Sequence, residues 1–311
     1  MIKLKGMMDT YYFDANLGSK RGNMSRVFQG FRKSNPEKKV AIKVLFKDLA
    51  ERRMYKARFK RESDIQLYHR NVLEVYEYIF QNNNHHIVME WLDGETLDHI
   101  IEHRARNNEP FSLDEALFII RQVLEGLTAL HSEYEIIIHR DIKPANLMQC
   151  RNGLIKILDF GIAKKGETPA DQRRLTGVAT FLGTLVYAAP EQLQVQNHKI
   201  GPWTDLWAVG ITLYELLTFK LPFDGETDEE TRAAILEKPL PKPPNLDIKI
   251  YKLLLKATQK KPEERYQSAE DFIKEIDELL SPVETEPFPW ATIISIGVSI
   301  ILLILFLMLI I

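Results

Sequence analysis

Apolar and polar positions along this chain predict its elements before any residue is assigned chemistry. His86-Ile87-Val88-Met89-Glu90 reads as an apolar strand, and Trp91-Leu92-Asp93-Gly94 breaks it with a turn. Leu154-Ile155-Lys156-Ile157-Leu158 is a second strand-like run, and it ends at Asp159. Further on, Ile211, Leu213, Leu216 and Leu217, and again Leu253, Leu254 and Leu255, fall at helical spacing. Between Asp159 and Glu191 the apolar pattern gives way to a long polar segment, and such loops inside a domain are usually functional or disordered. Ser281-Pro282 to Pro289 is proline-rich and acidic, which reads as a linker over residues 281–290. Ala291 to Ile311 then runs without a charge, and at 1.5 Å rise per residue it would span about 31 Å, close to a hydrocarbon core. It is predicted to be a transmembrane helix acting as a C-terminal anchor, with Trp290 in the interfacial belt.

Composition narrows the possibilities. With 41 basic against 43 acidic side chains, the chain gives no support for a nucleic-acid partner. The basic runs Arg52-Arg53 and Arg58 to Arg61 read as a solvated helix face or a regulatory surface. The single cysteine, Cys150, excludes an intrachain disulfide framework and suits a reducing compartment, as a small apolar residue and not a nucleophile. Polar interruptions near Met1 leave no signal-peptide core. Roughly 260 residues are enough for two lobes with separate cores.

Two motifs then bring in chemistry. His139-Arg140-Asp141-Ile142-Lys143-Pro144-Ala145-Asn146 is followed, a short hairpin later, by Asp159-Phe160-Gly161. Moving the γ-phosphoryl group of ATP to a hydroxyl requires metal cations on the phosphate oxygens, a cation on the rest of the triphosphate, and an acceptor held in line. Magnesium prefers carboxylate and amide oxygens, the types that Asp159 and Asn146 supply. Asp141 can orient the acceptor hydroxyl and take its proton, while Lys143 can place positive charge near the transferred group.

From about Leu17 to Leu280 the chain resembles the serine/threonine protein kinases of the bacterial type, which share the eukaryotic kinase fold. The resemblance implies an α+β, bilobal protein kinase fold. Residues 1–92 would be a β-rich N-lobe with one main helix, and 93–280 a mostly helical C-lobe; the linker and residues 291–311 follow. Val40-Ala41-Ile42-Lys43 is similar to the family's third-strand motif, which implies that Lys43 holds the α- and β-phosphates. Glu62 resembles the glutamate of helix αC that pairs with that lysine. The span from Glu62 to His69-Arg70-Asn71-Val72-Leu73 is shorter than usual in the family, and Glu51 is the second candidate.

The glycine-rich loop departs furthest from the family pattern. Glycines there let backbone amides approach phosphates. Counted back from Val27, the three positions hold Lys20, Gly22 and Ser25, with Leu17-Gly18 preceding, so one of three is glycine. Met24-Ser25-Arg26-Val27-Phe28 still looks like bacterial variants, and ATP binding is expected to persist. Leu17, Gly18, Gly22, Ser25, Val27, Ala41, Lys43 and Glu62 are the implied ATP-site residues, with Met89 at the back of the adenine pocket and Glu90 to Leu92 as hinge.

Further parts follow from the resemblance. Gly183-Thr184-Leu185-Val186-Tyr187-Ala188-Ala189-Pro190-Glu191 resembles the close of an activation segment. Thr180 sits where many members carry an activating phosphate, and Thr176 is the second candidate; Arg140 is positioned to pair with that anion. Thr184 is implied to contact Asp141 and Lys143. Asp205, in Thr204-Asp205-Leu206-Trp207, would brace the catalytic-loop backbone, and Arg265 would pair with Glu191.

The expectation is a membrane-tethered serine/threonine kinase using ATP and Mg2+ on protein substrates. Because ATP and magnesium are cytosolic, its kinase part would face the cytoplasm. Tethering would raise the local concentration of neighbouring copies and favour trans-autophosphorylation. Sensing through its own extracytoplasmic domain is not expected. The rival expectation, motivated by the eroded glycine loop, is a membrane-anchored pseudokinase scaffold; the joint presence of Lys43, Asp141, Asn146 and Asp159 argues against it.

Overall fold

A computed structural model describes residues 1–15, 19–21, 25–50, 52–65, 67–132, 136–159, 185–194 and 196–280. Its first sheet comprises β1 (Ile2–Lys5), β2 (Thr10–Phe13), β3 (Ser19–Arg21), β4 (Ser25–Arg32) and β5 (Lys39–Leu45), then β6 (Val75–Gln81) and β7 (Asn84–Glu90). The order is β1-β2-β4-β5-β7-β6, with β3 pairing β4, and every pairing is antiparallel. Strands β5 and β7 are central and carry buried residues on both faces, which suits their β-branched, near-continuous apolar runs. Tyr11, Phe13, Phe28, Val40, Ile42, Tyr76, Ile79 and Val88 form the core beside the sheet.

The first hairpin, β1 with β2, precedes Leu17 and was not expected from the sequence. Its strands are four residues each and bury three residues between them, too few for a hairpin to stand alone, so they need distant partners. Those partners are side chains of β6. Gln81 accepts from Lys5 N at 2.9 Å and donates to the Lys3 carbonyl at 2.7 Å. Glu77 accepts from Met7 N at 2.7 Å and from the Tyr11 hydroxyl at 2.6 Å. The two end strands are thus joined by carboxylate and amide groups in place of a backbone ladder.

Two helices, α1 (Lys47–Ala50) and α2 (Arg53–Asp64), lie between β5 and β6. Beyond β7 come β8 (Gly94–Thr96), α3 (Leu97–Asn107), α4 (Leu113–Leu130), and the hairpin of β9 (Leu147–Cys150) and β10 (Ile155–Ile157), which with β8 forms a small second sheet. The helices α5 (Pro190–Leu193), α6 (Pro202–Thr218), α7 (Asp228–Glu237), α8 (Ile248–Ala257) and α9 (Ala269–Leu280) follow. Helix α6 is buried on nearly all sides from Thr204 to Tyr214, as a helix apolar all round must be, and α4 and α8 pack on it. Gly126 on α4 faces β10 so closely that a Cβ there would lie 2.7 Å from the Ile157 side chain and 3.0 Å from the Asn71 carbonyl. That contact seats the strand that leads to Asp159.

Met1–Ile276 forms one unit, which contains the whole site described below, and Asp277–Ile311 forms a second. Among the described residues no helix is long and apolar enough to cross a membrane. The uncharged stretch 291–311 lies outside them.

Neutral histidines are built into the first sheet. His86 is 4 % exposed, its Nδ1–H donates to the Ile79 carbonyl at 3.2 Å, and Phe13 packs edge-on against its ring. Burial holds His86 below its ordinary value, and burial does the same for His85. The unfolded chain therefore binds more protons than the fold as pH falls through about 6.5, and stability should be lost over that window. In urea unfolding at pH 7.5 and 5.5, His86→Phe should show a smaller loss on acidification than the parent. The difference should be up to about 1.4 kcal/mol per unit of pKa depression.

Candidate active site

Local hydrogen bonding fixes the loop between α4 and β9. The Asp205 carboxylate, fully buried on α6, accepts from His139 N at 2.8 Å and Arg140 N at 2.7 Å. It also meets the His131 ring at 2.8 Å. These bonds hold Arg140 at φ +65°, a left-handed conformation that costs a non-glycine residue about 1–2 kcal/mol. The His139 ring joins this loop to the end of the β9–β10 hairpin, with Nε2 on the Leu158 carbonyl at 2.8 Å and Nδ1 accepting from Asp141 N at 3.3 Å.

Asp141 sits at the centre of this loop. Lys143 Nζ donates to both its oxygens, at 2.9 and 3.0 Å, and Asn146 Nδ2 donates to its Oδ2 at 2.9 Å and its carbonyl at 2.7 Å. Because both bonds use the Asn146 amide nitrogen, its Oδ1 is turned away from Asp141 and left as an oxygen donor. Leu158 N bonds the Asn146 carbonyl at 2.8 Å, which ties this loop to the end of the β9–β10 hairpin.

That hairpin delivers Asp159, itself left-handed at φ +54°. Val72 and Ile157 form a bridge, and the Asn71 side chain donates to the Ile155 carbonyl at 2.9 Å, so the hairpin is docked on residues 71–73. The Asp159 side chain, about half exposed, bonds Lys43 Nζ. Lys43, on β5 between Val27 and Ile87, also bonds Glu62 of α2 at 2.5 Å. One buried cation is thereby shared by two carboxylates. Burial works against the Lys43 charge, but Asp159 and Glu62 outweigh it and hold the ammonium above its ordinary value. Burial pushes the Glu62 carboxyl above its ordinary value, with Asp159 adding to the rise and Lys43 opposing it. Asp159 and Asn146 thus present one carboxylate and one amide oxygen from the two ends of the β9–β10 hairpin. This hard, oxygen-only set fits magnesium, which is commonly held by few protein ligands together with phosphate oxygens.

Downstream residues lock the loop from below. Arg265 and Glu191, with side chains 0 % and 1 % exposed, form a two-pronged pair at 2.8 and 2.9 Å. Thr204 donates to the same Glu191 at 2.8 Å, and Arg265 also donates to the Gln259 carbonyl at 2.7 Å. Gln192 reaches the Arg140 carbonyl at 2.9 Å.

Of the residues singled out from sequence, Ser25 is buried at the start of β4, Val27 pairs with Lys43, and Ala41 pairs with Met89, both buried. Glu90 ends β7, and Leu92 follows in the half-buried connection to β8. Leu17, Gly18 and Gly22 of the glycine loop lie outside the described residues, as do Glu51, Phe160, Gly161, Thr176, Thr180 and Thr184. Sequence reading overlooked Lys156, whose Nζ bonds Glu90 at 2.5 Å and the Val72 carbonyl at 3.1 Å, tying the hairpin to the end of β7. A lysine in the middle of an apolar strand run was the available signal, since a buried charge requires a partner. Gln192 carried no such signal.

Residues 11–279 match the protein kinase domain family. A probable serine/threonine-protein kinase PknB of Lactococcus lactis is 33 % identical over 283 residues, covering 89 % of this chain and 43 % of the relative. PrkC, a serine/threonine-protein kinase of Bacillus subtilis, is 35 % identical over 246 residues, covering 77 % and 36 %. Aurora kinase C of Mus musculus is 32 % identical over 252 residues, covering 80 % and 86 %. The chain thus spans less than half the length of these two bacterial relatives.

The Glu191–Arg265 pair generates a stability prediction. Arg265→Met leaves a buried carboxylate uncompensated and should cost about 3–5 kcal/mol in urea unfolding. Replacing both partners by apolar residues of similar volume should cost clearly less, because no charge is then stranded.

Proposed function

The chain belongs to the protein kinase family, and on that basis we propose that it is a serine/threonine protein kinase, transferring the γ-phosphoryl group of ATP to hydroxyls of proteins. The observation that carries the reading is the Asp141 carboxylate, held by Lys143 and Asn146 on a backbone clamped by Asp205. In this reading Asp141 orients the acceptor hydroxyl and takes its proton as the oxygen bonds phosphorus and the bond to the departing nucleoside diphosphate breaks. Lys143, already against Asp141, follows the charge that develops on the transferred group. Lys43, kept in register by Glu62, holds the α- and β-phosphates. Asn146 and Asp159 hold magnesium, which when bound neutralises the phosphate oxygens.

The same reading includes regulation and place. Phosphorylation at Thr180, or next at Thr176, would add an anion for Arg140 to pair with and raise activity. Residues 291–311 would tether the chain to a bilayer with residues 1–280 in the cytoplasm, and 281–290 would be the juxtamembrane linker. The support is the absence of any charge between Ala291 and Ile311.

Residues 1–280, incubated with magnesium and labelled ATP, should take up phosphate on Thr180 or Thr176. Asp141→Asn and Lys43→Met should each cut the rate by about a hundredfold or more. Label that persists in both variants would sink the assignment. Deleting residues 291–311 should move the chain from the membrane to the soluble fraction and lower autophosphorylation at matched low expression. A deletion that changes neither would remove the tether from the reading.

A further inference from the structure

Resting on the kinase reading, we propose that Gln192 is a positioning residue for Asp141, setting the peptide plane between Arg140 and Asp141 and coupling it to helix α5. Three successive peptide groups lead into Asp141. The N–H groups of the first two, on His139 and Arg140, are held by Asp205 from α6 at 2.8 and 2.7 Å. The third plane carries the Arg140 carbonyl and the Asp141 N–H. Its carbonyl accepts from Gln192 Nε2 at 2.9 Å, whereas its N–H reaches His139 Nδ1 at the longer 3.3 Å. An uncompensated change in ψ of Arg140 or φ of Asp141, the two torsions that flank that plane, would carry the Asp141 carboxylate away from Lys143 and Asn146. A left-handed residue such as Arg140, at φ +65°, needs its flanking planes held if it is to keep that conformation.

The other end of the Gln192 amide is equally committed. Its Oε1 accepts from Ala189 N at 2.9 Å, the residue that opens α5, in the reciprocal bond of a helix-capping arrangement. Glu191, its neighbour, is fixed by Arg265 and Thr204. The amide therefore joins an anchored helix to the backbone immediately before the catalytic aspartate, donating at one end and accepting at the other. An amide does both without bringing a charge. A glutamate would keep the bond to Ala189 N and turn a second acceptor towards the Arg140 carbonyl, and a methionine would fill the space and make neither bond.

The test uses the full chain with Gln192→Glu and Gln192→Met, and Gln194→Glu, at the exposed residue just past the same helix, as control. Both Gln192 variants should lower kcat by on the order of tenfold to a hundredfold while KM for ATP stays within about twofold, the pattern of lost alignment. Amide hydrogen exchange across residues 139–146 should quicken in both, with the urea midpoint of the whole domain held near that of the parent. Gln194→Glu should leave all of these unchanged. Unaltered kcat in both Gln192 variants, or unaltered exchange at 139–146, overturns the proposal, as does a parallel rise in KM and fall in stability that accounts for the lost rate. If the parent transfers no phosphate at all, the kinase reading falls. Hydrogen exchange then still decides whether Gln192 holds the loop.

Discussion

The loop that carries Asp141 depends on one carboxylate without access to water. From the first turn of α6, Asp205 places two oxygens against two consecutive backbone N–H groups and an imidazole. A buried carboxylate is costly unless its lone pairs are occupied, and here the groups that occupy them are those that must be bent into a left-handed turn. The desolvation cost of the acid and the conformational cost of the turn are offset by the same bonds. Helix α6 thus acts as a foundation: nearly every side of it is packed, so the oxygens it carries have little freedom to shift.

How far the sequence revealed this depends on the range of each interaction. Asp141, Lys143 and Asn146 lie within one short run and fold onto each other, so their grouping was legible from spacing alone. Asp159 was legible because an apolar strand ends just before it. Lys43 and Glu62 come from separate elements, and their closeness was expected only from resemblance; the geometry places them 2.5 Å apart. Contacts between a side chain and a distant carbonyl were not legible, because they leave no periodic trace. Gln192 on Arg140 and Lys156 on Val72 are both of this kind. The β1–β2 hairpin escaped notice for a related reason, since its short strands are stabilised by Glu77 and Gln81, far along the chain.

The two lysines of the site occupy different electrostatic settings. Lys43 is buried between Glu62 and Asp159, so its position is governed by two carboxylates that compete for it. Lys143 has Asp141 as its described carboxylate partner and sits closer to solvent. A polyanion entering beside Lys43 would compete with Glu62 and Asp159 for one ammonium whose position those carboxylates already fix.

The side-chain seam between β1 and β6 bears on where this domain begins. The family match starts at Tyr11, inside β2, so a fragment cut there would lose β1 and the turn at Met7. Glu77, 8 % exposed, would lose its backbone donor, and β2 would become an open edge able to pair with another chain. The boundary drawn by similarity and the boundary drawn by hydrogen bonding therefore differ by ten residues, Met1 to Thr10. A fragment made for expression should keep those residues, because Lys3, Lys5 and Met7 bond the side chains of β6.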